Sequence, residues 1–264
     1  MRRNRPITAL ITALAALVLL ARAAEAAPCG TSEAGFDAWK SAFADEARAK
    51  GIGEAGVSAL QATHYNTATI WADRGMKSFH LSLSAFMAKR GGPAIAARGR
   101  KLKLANAALF ASIESQYGVP PGPLIAIWGM ETGFGSQHGN QQALSAIATL
   151  AYDCRRPDFF TDQLYAALKL VDQGRLTAET RGAMQGEIGQ TQFLPKTMLD
   201  YGVGNLETAS GALASTANFL KAHGWQAGAG YQPGEPNFAA IQAWNAATVY
   251  EEAIAIIGKQ IDGE

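Results

Sequence analysis

The sequence predicts an all-α fold, and three observations support that prediction. Apolar residues recur at helical spacing along most of the chain, most of these runs end at a glycine, and long alternating runs typical of β-strands are absent. Of the 264 residues, 48% are hydrophobic, which is enough to bury a sizeable core. We therefore expect a mainly helical protein, with a small irregular or β element between Trp225 and Ala243.

The predicted helices can be followed in order by their apolar faces. The faces, with the glycine that ends each run where there is one, are Phe36, Trp39, Phe43 and Ala47 before Gly51; Leu102, Leu109, Ile113 and Tyr117 before Gly118; Phe160, Leu164, Ala167, Leu168 and Val171 before Gly174; Leu213, Ala217 and Leu220 before Gly224; and Tyr250, Ile254, Ile257 and Ile261 near the end. Glycine is favoured just past a helix because it adopts the left-handed conformation at no steric cost.

The first residues have the pattern of a secretory signal peptide. Arginines at positions 2, 3 and 5 precede an uncharged apolar stretch over 7–21, and Ala24-Glu25-Ala26 follows. The apolar stretch is shorter than the roughly 20 residues that span a bilayer. We predict a signal peptide over 1–26, a single domain over 27–264 and a periplasmic location. A lipid anchor on Cys29 is the weaker alternative, because Pro28 stands where a small residue is needed.

Charge and cysteine content narrow the function classes. The full chain has a formal charge of +1, and removal of 1–26 takes away four arginines and one glutamate, leaving about −2. Such a chain has no strong attraction for nucleic acid, and we predict no nucleic-acid partner. Cys29 and Cys154 are the only cysteines, and an even pair in an oxidising compartment favours a disulfide, with two free thiols as the alternative.

Glu131 stands out as a candidate catalytic acid. A helix is predicted to begin at the prolines 120, 121 and 123, which the first turn tolerates, and to end before Gly133. Leu124, Ile127 and Trp128 share a face with Glu131. Burial and the helix dipole would both raise the pKa of this carboxyl, as glycosidic cleavage by a protonated acid requires. The alternative is a structural glutamate that pairs with a core arginine or caps a neighbouring helix.

The residues around Glu131 resemble a known signature. The stretch 126–135, Ala-Ile-Trp-Gly-Met-Glu-Thr-Gly-Phe-Gly, is similar to the catalytic glutamate motif of lytic transglycosylases with a lysozyme-like fold, and more closely to the membrane-bound lytic murein transglycosylase B family in a soluble form. Further segments match in the family's order: 150–156, 159–160, 189–195, 217–225 and 243–245. The resemblance runs from about Phe36 to Ile261, and several separated motifs make it specific.

The resemblance implies a reaction and a substrate. Glu131 would protonate the oxygen of the β-1,4 bond between MurNAc and GlcNAc in peptidoglycan, and would then take a proton from the sugar's own 6-hydroxyl as a 1,6-anhydro ring closes. Water is not consumed, so a second carboxylate is not required. We expect the peptidoglycan glycan strand as partner, a monomer, and no cofactor; any cell-wall or secretion machinery that directs the protein stays unknown.

The resemblance also implies substrate-binding residues. Gln192 lies in the Gly/Gln-rich turn that the family places in its cleft, and Asn245 follows Trp244, where the family usually has tyrosine before asparagine. Phe219 stands where better-known members carry a cleft tyrosine. For Gln192 a turn that satisfies its own backbone, and for Trp244 a core aromatic, stay open as alternatives.

The remaining candidate site residues are two arginines, the segment that corresponds to the family's calcium loop, and one further carboxyl. Arg155 and Arg156 match a basic pair in the family and suit a carboxylate of the substrate, with solvated surface charges as the alternative. The family's calcium loop corresponds here to 203–207, which is poor in carboxylates, so we predict no metal. Glu187 is the rival acid: it would assist a true hydrolase or cap a helix.

Two other functions compete with the transglycosylase. A lysozyme-like hydrolase would deliver water to C1 and leave reducing ends. A non-catalytic peptidoglycan-binding protein would keep the cleft and would not need Glu131. A metal-dependent or serine or cysteine hydrolase finds no motif in this sequence.

Overall fold

The computed structural model describes residues 28–75 and 81–263, and this part of the chain is mainly helical. The predicted signal peptide over 1–26 lies outside the described residues. The α-helices are α1 (Phe36–Ala49), α2 (Glu54–Gln61), α3 (Thr67–Gly75), α4 (Leu83–Arg90), α5 (Gly92–Ala105), α6 (Ala107–Tyr117), α7 (Pro121–Thr132), α8 (Ala143–Tyr152), α9 (Pro157–Asp172), α10 (Pro195–Tyr201), α11 (Ala209–Ala222), α12 (Phe238–Trp244) and α13 (Thr248–Asp262). The all-α prediction is confirmed.

Glycine ends several helices as predicted. Gly51, Gly174 and Gly224 have φ of +83°, +68° and +92° and follow α1, α9 and α11. After α1 the backbone N–H of Ile52 bonds to the carbonyl of Ala47, and the Ile52 side chain is buried. Each helix therefore stops where the sequence pattern places its end.

One predicted helix is in fact two. Leu102 lies on α5, whereas Leu109 lies on α6, and Asn106 stands between them. The Asn106 side chain donates to the carbonyl of Leu102 at 3.0 Å, and its own φ of −119° departs from helical values. Asparagine competes with the helix for backbone partners, and here it interrupts the run.

The expected irregular or β element is placed differently. Residues 226–237 form turns and bends, so this part of the predicted element is irregular and not β. Phe238–Trp244, which the prediction included in the same element, is helix α12. The described β-sheet is elsewhere: β1 (Gln141–Gln142) pairs antiparallel with β2 (Arg181–Gly182). Strands of two residues carry no alternation that a sequence pattern could detect.

Two hydrophobic clusters share the interior. The first is built by α1, α2, α8 and α9 and contains Phe36, Trp39 and Phe160; the second surrounds α7 and α13. Val171 on α9 packs against both clusters, which joins them. The predicted disulfide between Cys29 and Cys154 is present, with a Cα separation of 5.1 Å, and ties the first described residues to the end of α8.

Helix α7 is central, and glycines set how it meets α13. Residues 121–130 are all buried, so the helix has no solvent face. A Cβ on Gly122 would lie 2.5 Å from the carbonyl oxygen of Gly258, so only glycine permits this approach. Glu131 lies nine residues after Gly122, and Tyr250 lies eight residues before Gly258. At about 1.5 Å of rise per residue, the antiparallel crossing brings Tyr250 opposite Glu131.

Candidate active site

A cavity of about 270 Å³ opens beside the end of α7. Glu131 reaches it from α7, Phe219 from α11, and Trp244 and Asn245 from the end of α12. The rest of its lining comes from the segment between β2 and α10 and from the first turn of α10: Glu187, Gln192, Phe193, Leu194 and Thr197, with Ala243 beside Trp244. Four separate stretches of chain therefore converge on one concave surface.

The Glu131 carboxyl is held through one of its oxygens. The Tyr250 hydroxyl donates to Oε1 at 2.5 Å, and the Trp244 indole N–H donates to the same oxygen at 3.2 Å. No ion pair among the described residues includes Glu131. The structural alternative, a glutamate held against a core arginine, is therefore wrong. With Oε1 accepting two hydrogen bonds, Oε2 is the oxygen left to carry the acid proton.

The surroundings of Glu131 favour its neutral form. Burial raises the pKa of the Glu131 carboxyl, and the hydrogen bonds from Tyr250 and Trp244 offset part of that rise. The charge of Arg90 lowers the pKa of Glu131 further, whereas the nearby Glu187 raises it. The pKa of the Tyr250 hydroxyl lies well above its usual range, first because of burial, so this group stays a donor.

A tight turn presents Gln192 to the cavity. Ile188 and Phe193 exchange backbone hydrogen bonds of 2.8 and 2.9 Å, which closes a loop over the four residues between them. Gln192 has a φ of +54°, a left-handed conformation that is uncommon for a residue with a side chain. Its side-chain amide donates to the carbonyl of Gly189 at 2.8 Å. This backbone strain sits at the cavity wall, where functional sites tend to concentrate it.

Aromatic rings form another wall. Trp244 lies 5.3 Å from the Phe193 ring and 5.2 Å from the Phe219 ring, the latter at 88°. Phe219 in turn stacks on His223 at 3.9 Å. Asn245 ends α12, and its side-chain oxygen accepts from the backbone N–H of Ala247 at 3.0 Å. The wall thus offers ring faces and amide groups, the combination that suits a sugar.

A family model identifies the chain. Residues 35–234 match the family described as "Transglycosylase SLT domain". The match spans more than half of the sequence. The protein belongs to the transglycosylase SLT domain family.

Relatives of this SLT-domain protein include a curated enzyme and several solved structures. Membrane-bound lytic murein transglycosylase B of Escherichia coli (strain K12) is 34% identical over 137 residues, a match that covers 46% of this chain and 38% of the relative. The chain therefore matches well under half of that relative's length.

Among solved structures, SltB3 from Pseudomonas aeruginosa in complex with NAG-NAM-pentapeptide is 27% identical, with a TM-score of 0.80 over 89% of this chain and 81% of that one. The Escherichia coli lytic transglycosylase SLT35 in complex with bulgecin A is 22% identical, with a TM-score of 0.73 over 84% of this chain and 92% of that one. At that identity it shows the fold alone, and these likenesses confirm the lysozyme-like architecture.

In this SLT-domain protein Arg155 and Arg156 lie outside the cavity lining. Both guanidinium groups pair with the carboxylate of Asp73, which is buried on α3, and Gln185 donates to the same carboxylate at 2.9 Å. Each arginine side chain keeps about 40% of its surface exposed. They are anchored rather than freely solvated, and their role in substrate binding stays a prediction.

The segment 203–207 of this SLT-domain protein does not suit calcium. Its one carboxylate, Glu207, lies 2.7 Å from Nδ1 of His138, and the Asn205 side-chain oxygen accepts from the backbone N–H of Glu207 at 2.9 Å. These groups are already engaged and do not offer the six or more oxygens that calcium takes.

Two kinds of feature are absent from the part of the chain that the structure describes. Within residues 28–75 and 81–263, no three His, Cys, Asp or Glu side chains are grouped so as to hold a metal. No helix in those ranges combines the length and the apolar composition needed to cross a bilayer.

Tyr250 is a site residue that the sequence pattern does not identify. The pattern places Tyr250 on the apolar face of α13, and the residue is indeed 2% exposed. The signal that could have found it is chemical: a buried tyrosine needs a partner for its hydroxyl. Its partner is Glu131, 119 positions earlier in the chain.

Proposed function

We propose that this protein is a peptidoglycan lytic transglycosylase that cleaves the β-1,4 bond between MurNAc and GlcNAc and leaves 1,6-anhydro-MurNAc ends, with Glu131 as the acid and base. One observation supports the proposal above all: a carboxyl that is in no ion pair with a described residue, and whose pKa is raised by burial, lies in a cavity walled by aromatic rings and amides. Family membership and the relatives' names support it. The proposed enzyme is a carbon–oxygen lyase that acts on a polysaccharide.

The reaction uses Glu131 twice. In the first step Oε2 gives its proton to the glycosidic oxygen, and the bond from that oxygen to C1 of MurNAc breaks. In the second step the carboxylate takes the proton of the MurNAc 6-hydroxyl while that oxygen bonds to C1. The acid is restored, and no water enters. Tyr250 and Trp244 hold Oε1 and stabilise the charge present between the two steps.

Substrate binding is assigned to the walls of the cavity. We propose that Trp244 and Phe219 contact sugar faces and that Gln192 and Asn245 donate and accept hydrogen bonds with sugar hydroxyl and acetamido groups. The Asp73-anchored pair Arg155 and Arg156 is proposed to meet carboxylates of the substrate beyond the cavity. Two arginines on one aspartate keep a net positive charge there, which favours an anionic group.

The proposal includes a location and a domain organisation. The segment 1–26 would direct export and be removed, and 27–264 would act as one domain in the periplasm. Val171, which packs against both hydrophobic clusters, supports the single domain.

Products released from purified sacculi test the proposal. Wild-type protein is expected to release fragments that end in anhydro-MurNAc, lighter by one water than hydrolysed fragments. Glu131→Gln keeps the shape of the side chain but has no acid proton, and the rate should fall by at least about 100-fold. Glu114→Gln, an exposed glutamate on α6, is the matched control. Undiminished release by Glu131→Gln would contradict the role of Glu131, and no release by wild type would favour a binding protein.

A further inference from the structure

The cavity contains a second carboxyl that the proposed transglycosylation does not use. Glu187 lines the same 270 Å³ space as Glu131, in the segment between β2 and α10. Its Oε2 accepts a hydrogen bond from the backbone N–H of Gln185 at 3.0 Å. The Glu187 backbone carbonyl accepts from Ala183 at 2.8 Å, so the main chain on both sides of this residue is fixed.

Fold stability does not account for this side chain. Among the described residues Glu187 is in no ion pair, and the hydrogen bonds to its carboxylate come from backbone N–H groups of its own turn, those of Gln185 and of Glu187 itself. A carboxylate withdrawn from water without a cationic partner costs free energy. A site where two such groups meet in one cleft is a candidate for chemistry.

Two carboxyl groups on one sugar cleft are what glycoside hydrolysis requires. One gives a proton to the leaving oxygen, and the other takes a proton from the attacking water. Burial raises the pKa of Glu187, as it does for Glu131, and a base works best when its pKa lies near the working pH. Water is present in any open cleft, so the pocket holds what the second reaction needs.

We propose that Glu187 is a second catalytic carboxyl, the base that draws water onto C1, so that this enzyme releases hydrolysed reducing ends beside its anhydro ends. This inference rests on the proposed function, since Glu131 supplies the acid in both reactions. The choice between products is made after the glycosidic bond is protonated: either the 6-hydroxyl or a water molecule held by Glu187 reaches C1.

Atoms and protons balance in the hydrolytic reaction. Glu131 gives its proton to the glycosidic oxygen, and the bond from C1 to that oxygen breaks. The water oxygen bonds to C1, and its proton passes to the ionised Glu187 carboxylate. The two carboxyls then exchange one proton through solvent, so that Glu131 is again protonated and Glu187 ionised. One water is consumed, and one reducing end and one free 4-hydroxyl are formed.

Counting both kinds of end in one digest tests the inference. Sacculi are first reduced with borohydride to remove existing reducing ends, digested with the full-length enzyme, and reduced again with borodeuteride. Hydrolysed ends then carry deuterium, and anhydro ends, which cannot be reduced, do not. Wild type is expected to give both. Glu187→Gln, which keeps an acceptor for the Gln185 N–H, should lower the ratio of deuterated to anhydro ends about 100-fold.

Two further proteins complete the test. Glu179→Gln, an exposed glutamate between α9 and β2, is expected to keep the wild-type ratio. Glu131→Gln is expected to lose both products, because the acid is common to them. Thermal melting of Glu187→Gln at the wild-type temperature shows that the turn is intact.

The outcomes separate the two proposals. Anhydro ends alone from wild type, or an unchanged ratio in Glu187→Gln, would overturn the role of Glu187 and leave the transglycosylase standing. Reducing ends alone from wild type would overturn the transglycosylase, and the Glu187→Gln arm would then decide whether Glu187 is the hydrolytic base. A fall in both products at constant ratio would show that Glu187 acts only through Glu131, which contradicts the inference.

Discussion

Tyr250 on α13 donates its hydroxyl proton to Oε1 of Glu131 on α7, across the glycine-lined crossing of the two helices. This hydrogen bond favours the ionised carboxylate, so it lowers the pKa of Glu131 against the larger effect of burial. Tyr250 therefore sets how easily Glu131 gives up its proton, and it fixes which oxygen keeps that proton.

Removal of the Tyr250 hydroxyl should move the pH profile of the enzyme. In Tyr250→Phe the pKa of Glu131 is expected to rise, because a bond to the charged form is lost. The acid works while protonated, so the high-pH limb of the rate profile should shift to higher pH. Arg90 and Glu187, the other charges that act on Glu131, stay in place. Rates on sacculi measured across pH would check the shift.

Tyr165→Phe is a matched control, because it removes a tyrosine hydroxyl that does not contact Glu131. Tyr165 also donates its hydroxyl to a glutamate, Glu46, at 2.7 Å, but it does so beside α1, outside the cavity lining. Tyr165→Phe is expected to leave the high-pH limb where wild type has it. A shift of equal size in both variants, or a shift of Tyr250→Phe to lower pH, would contradict the role given to Tyr250.

The raised pKa of Glu131 also predicts how stability depends on pH. In the unfolded chain Glu131 releases its proton near about pH 4.3, whereas in the folded state it keeps the proton to higher pH. The contribution of Glu131 to stability is therefore fully present below about pH 4.3 and falls as pH rises toward the folded-state pKa. Glu131→Gln cannot ionise and escapes the loss. Its free energy of unfolding relative to wild type should therefore grow from pH 4 to pH 8. Denaturant unfolding at both pH values measures it, and a difference that shrinks would count against a buried, neutral Glu131.

Much of this site can be predicted from local sequence, because its motifs carry local signals. The proline start and glycine end of α7 place Glu131 at a helix terminus, and the turn around Gln192 is marked by its glycine. The local sequence does not predict how these segments come together in space. Tyr250 meets Glu131 because Gly122 and Gly258 let two helices approach, and no periodicity reports a contact across 119 positions.

The failures of the sequence prediction have physical causes of the same kind. Asn106 is compatible with a continuous helix by composition, and only its hydrogen bond to Leu102 shows the break between α5 and α6. Asp73 carries no motif, yet it binds both Arg155 and Arg156. In each case a side-chain hydrogen bond or ion pair determines the local structure, and the folded chain determines which groups form such bonds.

The disulfide is expected to contribute substantially to stability. Cys29 and Cys154 are 125 positions apart, and closing a loop of that length restricts the unfolded chain. The double variant Cys29→Ser with Cys154→Ser should lose about 2–4 kcal/mol of unfolding free energy. Denaturant titrations with and without a reducing agent measure this. Reductant should destabilise wild type and leave the double variant unchanged; equal stability of the two proteins without reductant would show that the bond contributes nothing.

Gln190 is expected to hold the helix of Glu131 against the loop of Gln192. Its side-chain oxygen accepts from the Trp128 indole at 2.9 Å, and its amide nitrogen donates to the carbonyl of Glu207 at 2.7 Å. Its backbone carbonyl accepts from the Thr132 hydroxyl at 2.6 Å. Gln190→Leu keeps the volume but leaves the Trp128 N–H without its partner, which should cost about 1–3 kcal/mol of stability.

The same change should slow the enzyme, because Trp128 and Thr132 flank Glu131 on α7 and Gln190 lies two residues before Gln192. Misplacement of either segment separates the acid from the bound sugar, and the rate on sacculi should fall while the melting curve stays cooperative. Gln173→Leu, at the exposed end of α9, controls for the exchange of glutamine by leucine. Wild-type activity in Gln190→Leu together with lost stability would mean that these bonds serve the fold and not the alignment of the two site segments.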